Sequence, residues 1–160
     1  MPSNMFIRFE GPTIPGTSRL PGHESDIEIL SWSHSFAQPG SRSTGERSTV
    51  EQATHQNFSL TKYLDSASNE LLKMSWSGKQ FLKATVTCYR EGSSPGGAAI
   101  KYLEIAMQHV VISNYSISGG PGDIPIENVS LDYGIVEYTY TPAHGESSSA
   151  RHDLQSHEVS

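Results

Sequence analysis

Imidazoles, one thiol and a surplus of hydroxyls are the groups in this chain able to do chemistry: seven histidines, one cysteine and many serines. The histidines stand at positions 23, 34, 55, 109, 144, 152 and 157, with no two close together in a single strand or helix. A structural or catalytic metal site needs three or four converging ligands, usually seeded by a closely spaced pair. Cys88 has no second cysteine with which to share a metal or a disulfide, which fits a reducing compartment of synthesis. His144, His152 and His157 fall in a Ser- and charge-rich stretch without periodicity and read as solvated. A serine nucleophile of the hydrolase type needs a strand–turn–helix elbow of the form Gly-x-Ser-x-Gly, and the sequence has none. Gly119, Gly120, Pro121 and Gly122 are glycine-rich but lead into β-type sequence, not into a helix whose N-terminus would cradle an anion. The expectation is no catalytic residue, no cofactor, no metal and no enzyme.

The elements that would position any site are mostly strands. Met5 to Phe9 reads as a short strand before a Pro/Gly-rich loop. Across residues 27–36 the side chains alternate: Leu30, Trp32 and Phe36 fall on one face with His34 among them, and Ser31, Ser33 and Ser35 fall on the other. A row of small hydroxyls is unusual for an outer surface, where long charged side chains dominate, and would suit the wall of a water-filled channel. Residues 38–51 lack apolar periodicity and read as a long exposed loop, with Ser41, Arg42, Ser43, Thr44, Gly45, Glu46 and Arg47 available to reach another subunit.

Strand character returns at 54–64, where Phe58, Leu60 and Lys62 alternate with Asn57, Ser59 and Thr61. One helix is expected over 67–77, with Ser66 as N-cap and Gly78 as C-terminal stop. Leu82, Ala84, Val86 and Cys88 then share a strand face, and residues 98–115 read as one long strand. Around Val110 and Ile112 both faces become apolar, as where a neighbouring subunit covers a strand, so these two are expected subunit contacts. Beyond Gly134 the apolar set shifts by one, from Val129, Leu131 and Tyr133 to Val136, Tyr138 and Tyr140, which predicts a β-bulge.

At 160 residues the chain suits one domain, here residues 1–142, followed by a flexible tail over 143–160. Its formal charge of −6 argues against nucleic acid, which demands clustered Lys and Arg. No apolar run approaches the roughly 20 residues of a membrane span, and the N-terminus lacks the apolar core of a cleaved secretory signal.

In combination these segments resemble the hemolysin-coregulated protein family. The resemblance rests on Met5-Phe-Ile-Arg-Phe9, Ile27-Glu-Ile-Leu-Ser-Trp-Ser33, Phe58-Ser-Leu-Thr-Lys-Tyr63 with Asp65, and Leu71-Leu72 before Gly78-Lys79. It continues through Val111-Ile-Ser-Asn-Tyr-Ser116, Gly119-Gly120, Pro125-Ile-Glu127, Val129-Ser-Leu131 and Val136-Glu-Tyr-Thr-Tyr-Thr-Pro142. It spans about residues 4–142 in consistent order; the Gly-Trp-Asp segment common near the end of that family is missing after Pro142.

The resemblance implies a mainly β fold similar to phage tail tube proteins: a β-barrel of two sheets with one side helix, closing with five further copies into a hexameric ring. It further implies stacked rings inside the contractile sheath of a bacterial type VI secretion system, a trimeric spike protein at the tip, and small effectors carried and stabilised in the lumen. On that reading Ser31, Ser33 and Ser35 line the lumen, the 38–51 loop reaches the adjacent ring, and the protein passes from the bacterial cytoplasm to the outside without a cleaved signal. The competing reading of the residues is a monomeric β-sandwich that binds a ligand, such as carbohydrate, through the loop 119–123.

Overall fold

The computed structural model describes residues 4–16, 18, 26–38, 54–90, 100–156 and 158–160. In chain order the strands are β1 (Met5–Glu10), β2 (Ile27–Glu28), β3 (Ser31–Ser33), β4 (Phe36–Ala37), β5 (Thr54–His55) and β6 (Phe58–Tyr63). Helix α1 (Ser68–Ser77) follows, then β7 (Phe81–Arg90), β8 (Ile100–Ser118), β9 (Ile126–Asp132), β10 (Ile135–Tyr140), β11 (Ser148–Asp153) and β12 (Glu158–Val159).

Strand β8 is the backbone of this arrangement. Its first half pairs with β7 on one side and β10 on the other, and its second half pairs with β9. From β7 one sheet continues through β1 to β2, and from β10 it continues through β11 to β12; a second sheet runs from β8 through β9 and β6 to β3. All these pairings are antiparallel. The expected closed barrel is therefore corrected to two open sheets sharing one strand, because β10 hands its free edge outward to β11 instead of returning to close a cylinder. The segment between β2 and β3 passes from one sheet to the other, Ile29 N–H donating to Met5 O (3.0 Å) and Leu30 N–H to Thr61 O (2.8 Å).

The core lies between the sheets. Phe9, Phe58, Phe81, Ile105, Met107 and Leu131 are fully buried, with Phe9 and Phe81 ring centroids 4.6 Å apart. Leu71 and Met74 on one face of α1 complete this core, as the helical spacing predicts. The helix starts differently from expectation. Ser66 makes no cap, and Asp65 Oδ1 instead accepts the Ala67 N–H at 3.0 Å. Gly78 ends the helix in the left-handed region (φ 68°), its N–H donating to Met74 O.

Two irregularities in β8 account for most departures from simple alternation. His109 has φ 57°, and the buried set changes there from Ile105 and Met107 to Val110 and Ile112. The same phase slip on the facing strand buries Phe81 and leaves Leu82 68% exposed, correcting the face expected for Leu82. A second register shift falls between Ile112 and Asn114. Val110 and Ile112, expected as subunit contacts because both faces looked apolar, are 0% and 4% exposed within the single chain. The left-handed turn accompanies that change of pattern, and within the single chain both side chains are part of the protomer's own core.

Gly134 marks a crossing between sheets where a bulge was expected. β9 ends at Asp132 in one sheet and β10 begins at Ile135 in the other, while Gly134 N–H donates to Gln108 O (3.0 Å) beside the His109 turn. The stretch after Pro142, expected to be loose, carries β11, which pairs with β10 from Ile135↔Asp153 to Tyr140↔Ser148. Its Ser-rich, alternation-poor sequence fits a strand with little side-chain burial, paired with β12 only at His152 and Asp153 among the described residues.

Lys62 and Glu127 stand opposite each other on the core face of the second sheet, 1% and 0% exposed, with Nζ 2.5 Å from Oε1. Lys62 also donates to Asp65 Oδ1 (3.0 Å), and Ser68 Oγ donates to Glu127 Oε1 (2.8 Å). This buried network ties the first turn of α1 to the back of β6 and β9. Burial and the neighbouring Glu127 push the Tyr115 hydroxyl well above its ordinary pKa.

Candidate functional site

The outward face of the second sheet is built from alternate residues of four strands. Antiparallel register aligns Ser33 with Ser59, Ser59 with Ser130 and Ser130 with Asn114; the next row is Ser31, Thr61, Asn128 and Ser116. Both rows consist of hydroxyls and carboxamides without a formal charge. The inward row between them is Trp32, Leu60, Val129 and Tyr115, so the face follows from period-2 alternation against a core. Neighbours bind each other along it: Ser31 Oγ lies 2.5 Å from Thr61 Oγ1, Ser59 Oγ 3.3 Å from Ser130 Oγ, and Asn57 Nδ2 donates to Ser113 Oγ at 2.8 Å. These mutual bonds fix the rotors and leave a smooth polar surface.

Ser31 and Ser33, two of the expected lumen residues, are thus exposed on this wall. Ser35 is exposed just beyond β3, its carbonyl accepting the Gln56 N–H at 3.0 Å. The other face of this segment departs from expectation. Trp32 stacks on Phe58 with centroids 5.6 Å apart, but Leu30 is 39% and Phe36 50% exposed. Residues 41–47, read as reaching an adjacent ring, lie outside the described residues, as do His23 and His157.

At one end the wall opens into a groove lined by Ser33, His34, Ser35, His55, Gln56, Asn57, Ser59 and Ser130. Three histidines and two tyrosines meet there, a grouping that sequence reasoning missed. His34 Nδ1 is hydrogen-bonded to the Tyr138 hydroxyl, and His34 Nε2 lies 2.7 Å from the Tyr133 hydroxyl. Tyr133 in turn lies 2.6 Å from His55 Nδ1, and His55 Nε2 lies 2.6 Å from His152 Nδ1. Burial, with a smaller contribution from His55, lowers the His34 pKa to about 4. Burial and then His152 lower that of His55. Tyr138 is pushed up to about 12 by burial. Both ring nitrogens of His34 and of His55 are engaged, so neither imidazole is available to deprotonate a neighbouring serine. Among the described residues no group of three or more His, Cys, Asp or Glu is arranged to hold a metal ion. Cys88 is buried, and burial raises its thiol pKa, away from thiolate reactivity.

Known proteins share this architecture. A family model described as "Type VI secretion system effector, Hcp" matches residues 6–140. Protein hcp1 of Pseudomonas aeruginosa is 30% identical over 143 residues, covering 89% of this chain and 85% of that protein. Hcp1 from Salmonella typhimurium superposes with a TM-score of 0.79 over 99% of both chains at 24% identity. A structure described as a type six secretion system protein reaches a TM-score of 0.86 over 98% of both chains at 21% identity. At those identities the superpositions speak to the fold.

Proposed function

Because the chain belongs to the Hcp family of type VI secretion proteins, we propose that six copies close into a ring whose bore is the hydroxyl and carboxamide wall of β3, β6, β9 and the second half of β8. Family membership supports a secreted tube protein of type VI secretion, and no described helix is long and apolar enough to cross a membrane. In this proposal the role is structural, not catalytic. Rings stack into a tube inside the contractile sheath, carry the spike protein at their tip and hold small effectors in the lumen.

The observation that carries the reading is the pair of registered, uncharged rows running across four strands. A conduit for varied cargo works best with a wall that offers hydrogen bonds everywhere and a strong electrostatic trap nowhere. Closure into a ring uses heterologous contacts, one face of a protomer against a different face of the next. The open sheets leave edges for a neighbour to cover. Trp76, Leu82 and Ile124 are each more than 60% exposed in the single chain and supply apolar surface for such contacts.

Replacing Ser33 with arginine puts a long cation onto the wall while leaving the core row intact. The expected result is rings of unchanged mass by light scattering that no longer retain a co-expressed small effector. Loss of the ring would place the Ser31–Ser33 face in a subunit contact and overturn the lumen assignment. A wild-type chain that stays monomeric across concentrations would favour the binding-module reading.

A further inference from the structure

The histidine–tyrosine group joins parts of the chain that the sheets do not otherwise connect. His34 precedes β4 and His55 belongs to β5, two strands whose pairing among the described residues is Phe36↔His55 and Ala37↔Thr54. Tyr133 lies at the crossing between the sheets, Tyr138 on β10 and His152 on β11. Phe36 is half exposed, and these side chains tie the described ends of β4 and β5 to the body of the protein.

Proton counting shows what keeps the group together. Tyr133 has one hydroxyl proton and touches two imidazoles, so it accepts from one and donates to the other. With neutral rings a single direction satisfies every link: Tyr138 O–H to His34 Nδ1, His34 Nε2–H to Tyr133, Tyr133 O–H to His55 Nδ1, and His55 Nε2–H to His152 Nδ1. The reverse direction satisfies the four links equally. One added proton is tolerated, because a doubly protonated ring donates both ways. Protons on both His55 and His152 set two N–H groups against each other across 2.6 Å, and that link is lost.

We infer that this relay is an acid-sensitive latch, holding the paired strands β4 and β5 against β10 and β11 while its imidazoles are neutral and releasing them once protons on both sides of the His55–His152 link set N–H against N–H.

The surroundings offer little to offset the added charge. His34 faces Tyr133, Tyr138 and His55, with a backbone hydrogen bond to Gln56; His55 faces Tyr133 and His152. Asp132 bears on Tyr133, Glu137 faces Arg151 at 3.9 Å, and Asp153 accepts the backbone N–H groups of Gln155 and Ser156. No carboxylate in this set is bonded to an imidazole. The depressed pKa values of His34 and His55 agree in direction. Their stabilising contribution is complete above the ordinary value of 6.5 and is lost as pH falls from there, for His34 towards about 4.

Hydrogen exchange on the full chain tests the latch, with rates corrected for the intrinsic effect of pH. Protection at residues 36–37 and 54–56 should fall by about tenfold or more between pH 7.5 and 5, the change that one pKa unit of linkage produces, while β7 stays protected. In His55→Phe, and separately in His152→Gln, that pH dependence should shrink to the part that His34 carries. Wild-type protection that does not change with pH overturns the latch, and so does an equal fall in both variants. Because exchange is read within one chain, it decides the latch whether or not rings form. Ring formation is judged apart, by light scattering of the same samples at pH 7.5.

Discussion

Lys62 is the residue whose placement most strains the simple rule that charges stay outside. Alternation assigns it to the core with Phe58 and Leu60, and the core is where it lies, neutralised by Glu127 across the β6–β9 ladder. Lys62→Met leaves the Glu127 carboxylate buried without its counter-ion and should cost about 3–5 kcal/mol in urea unfolding. Adding Glu127→Leu should recover most of that loss, since an apolar pair of similar volume avoids two desolvations. A single variant costing under about 1 kcal/mol would show that water and the Ser68 hydroxyl already satisfy the Glu127 carboxylate. The lysine's position was legible in the sequence; its partner was not, because Glu127 follows 65 residues later. The histidines were harder still. His55 and His152 are 97 positions apart, and only the pairing of β10 with β11 brings them into contact. The available signal was that His34 and His55 stand on either side of the 38–51 loop.

At the scale of elements, period-2 patterns located the strands and the 3.6-residue pattern located the helix, because both report local burial. Where strands break is set by contacts distant in sequence. His109 and Gly134 face each other across β8 and the β9–β10 crossing, and neither alone announces that a strand changes sheet. The C-terminal stretch shows the same limit. Its serines carry no alternation, yet β11 covers the edge of β10 along six residue pairs. Deleting residues 143–160 should therefore lower the melting temperature, by roughly 2–4 °C for each kcal/mol lost. It should also promote association through the uncovered β10 edge, visible in light scattering. A truncated chain as stable and as monodisperse as the full one would return this stretch to the status of a loose tail.

For the whole molecule, the serines of β3 were readable as a polar face, but the wall they belong to was not. Ser59, Thr61, Asn128, Ser130, Asn114 and Ser116 join it through strand register, which no local window contains. The central claim is that this wall faces the bore of a closed ring. Ser33→Cys, labelled with a gold cluster, tests it directly in negative-stain images, since buried Cys88 competes poorly for the label. The account predicts annuli with the metal density inside the central opening. Gold on the outer rim, or solid particles without an opening, would contradict it.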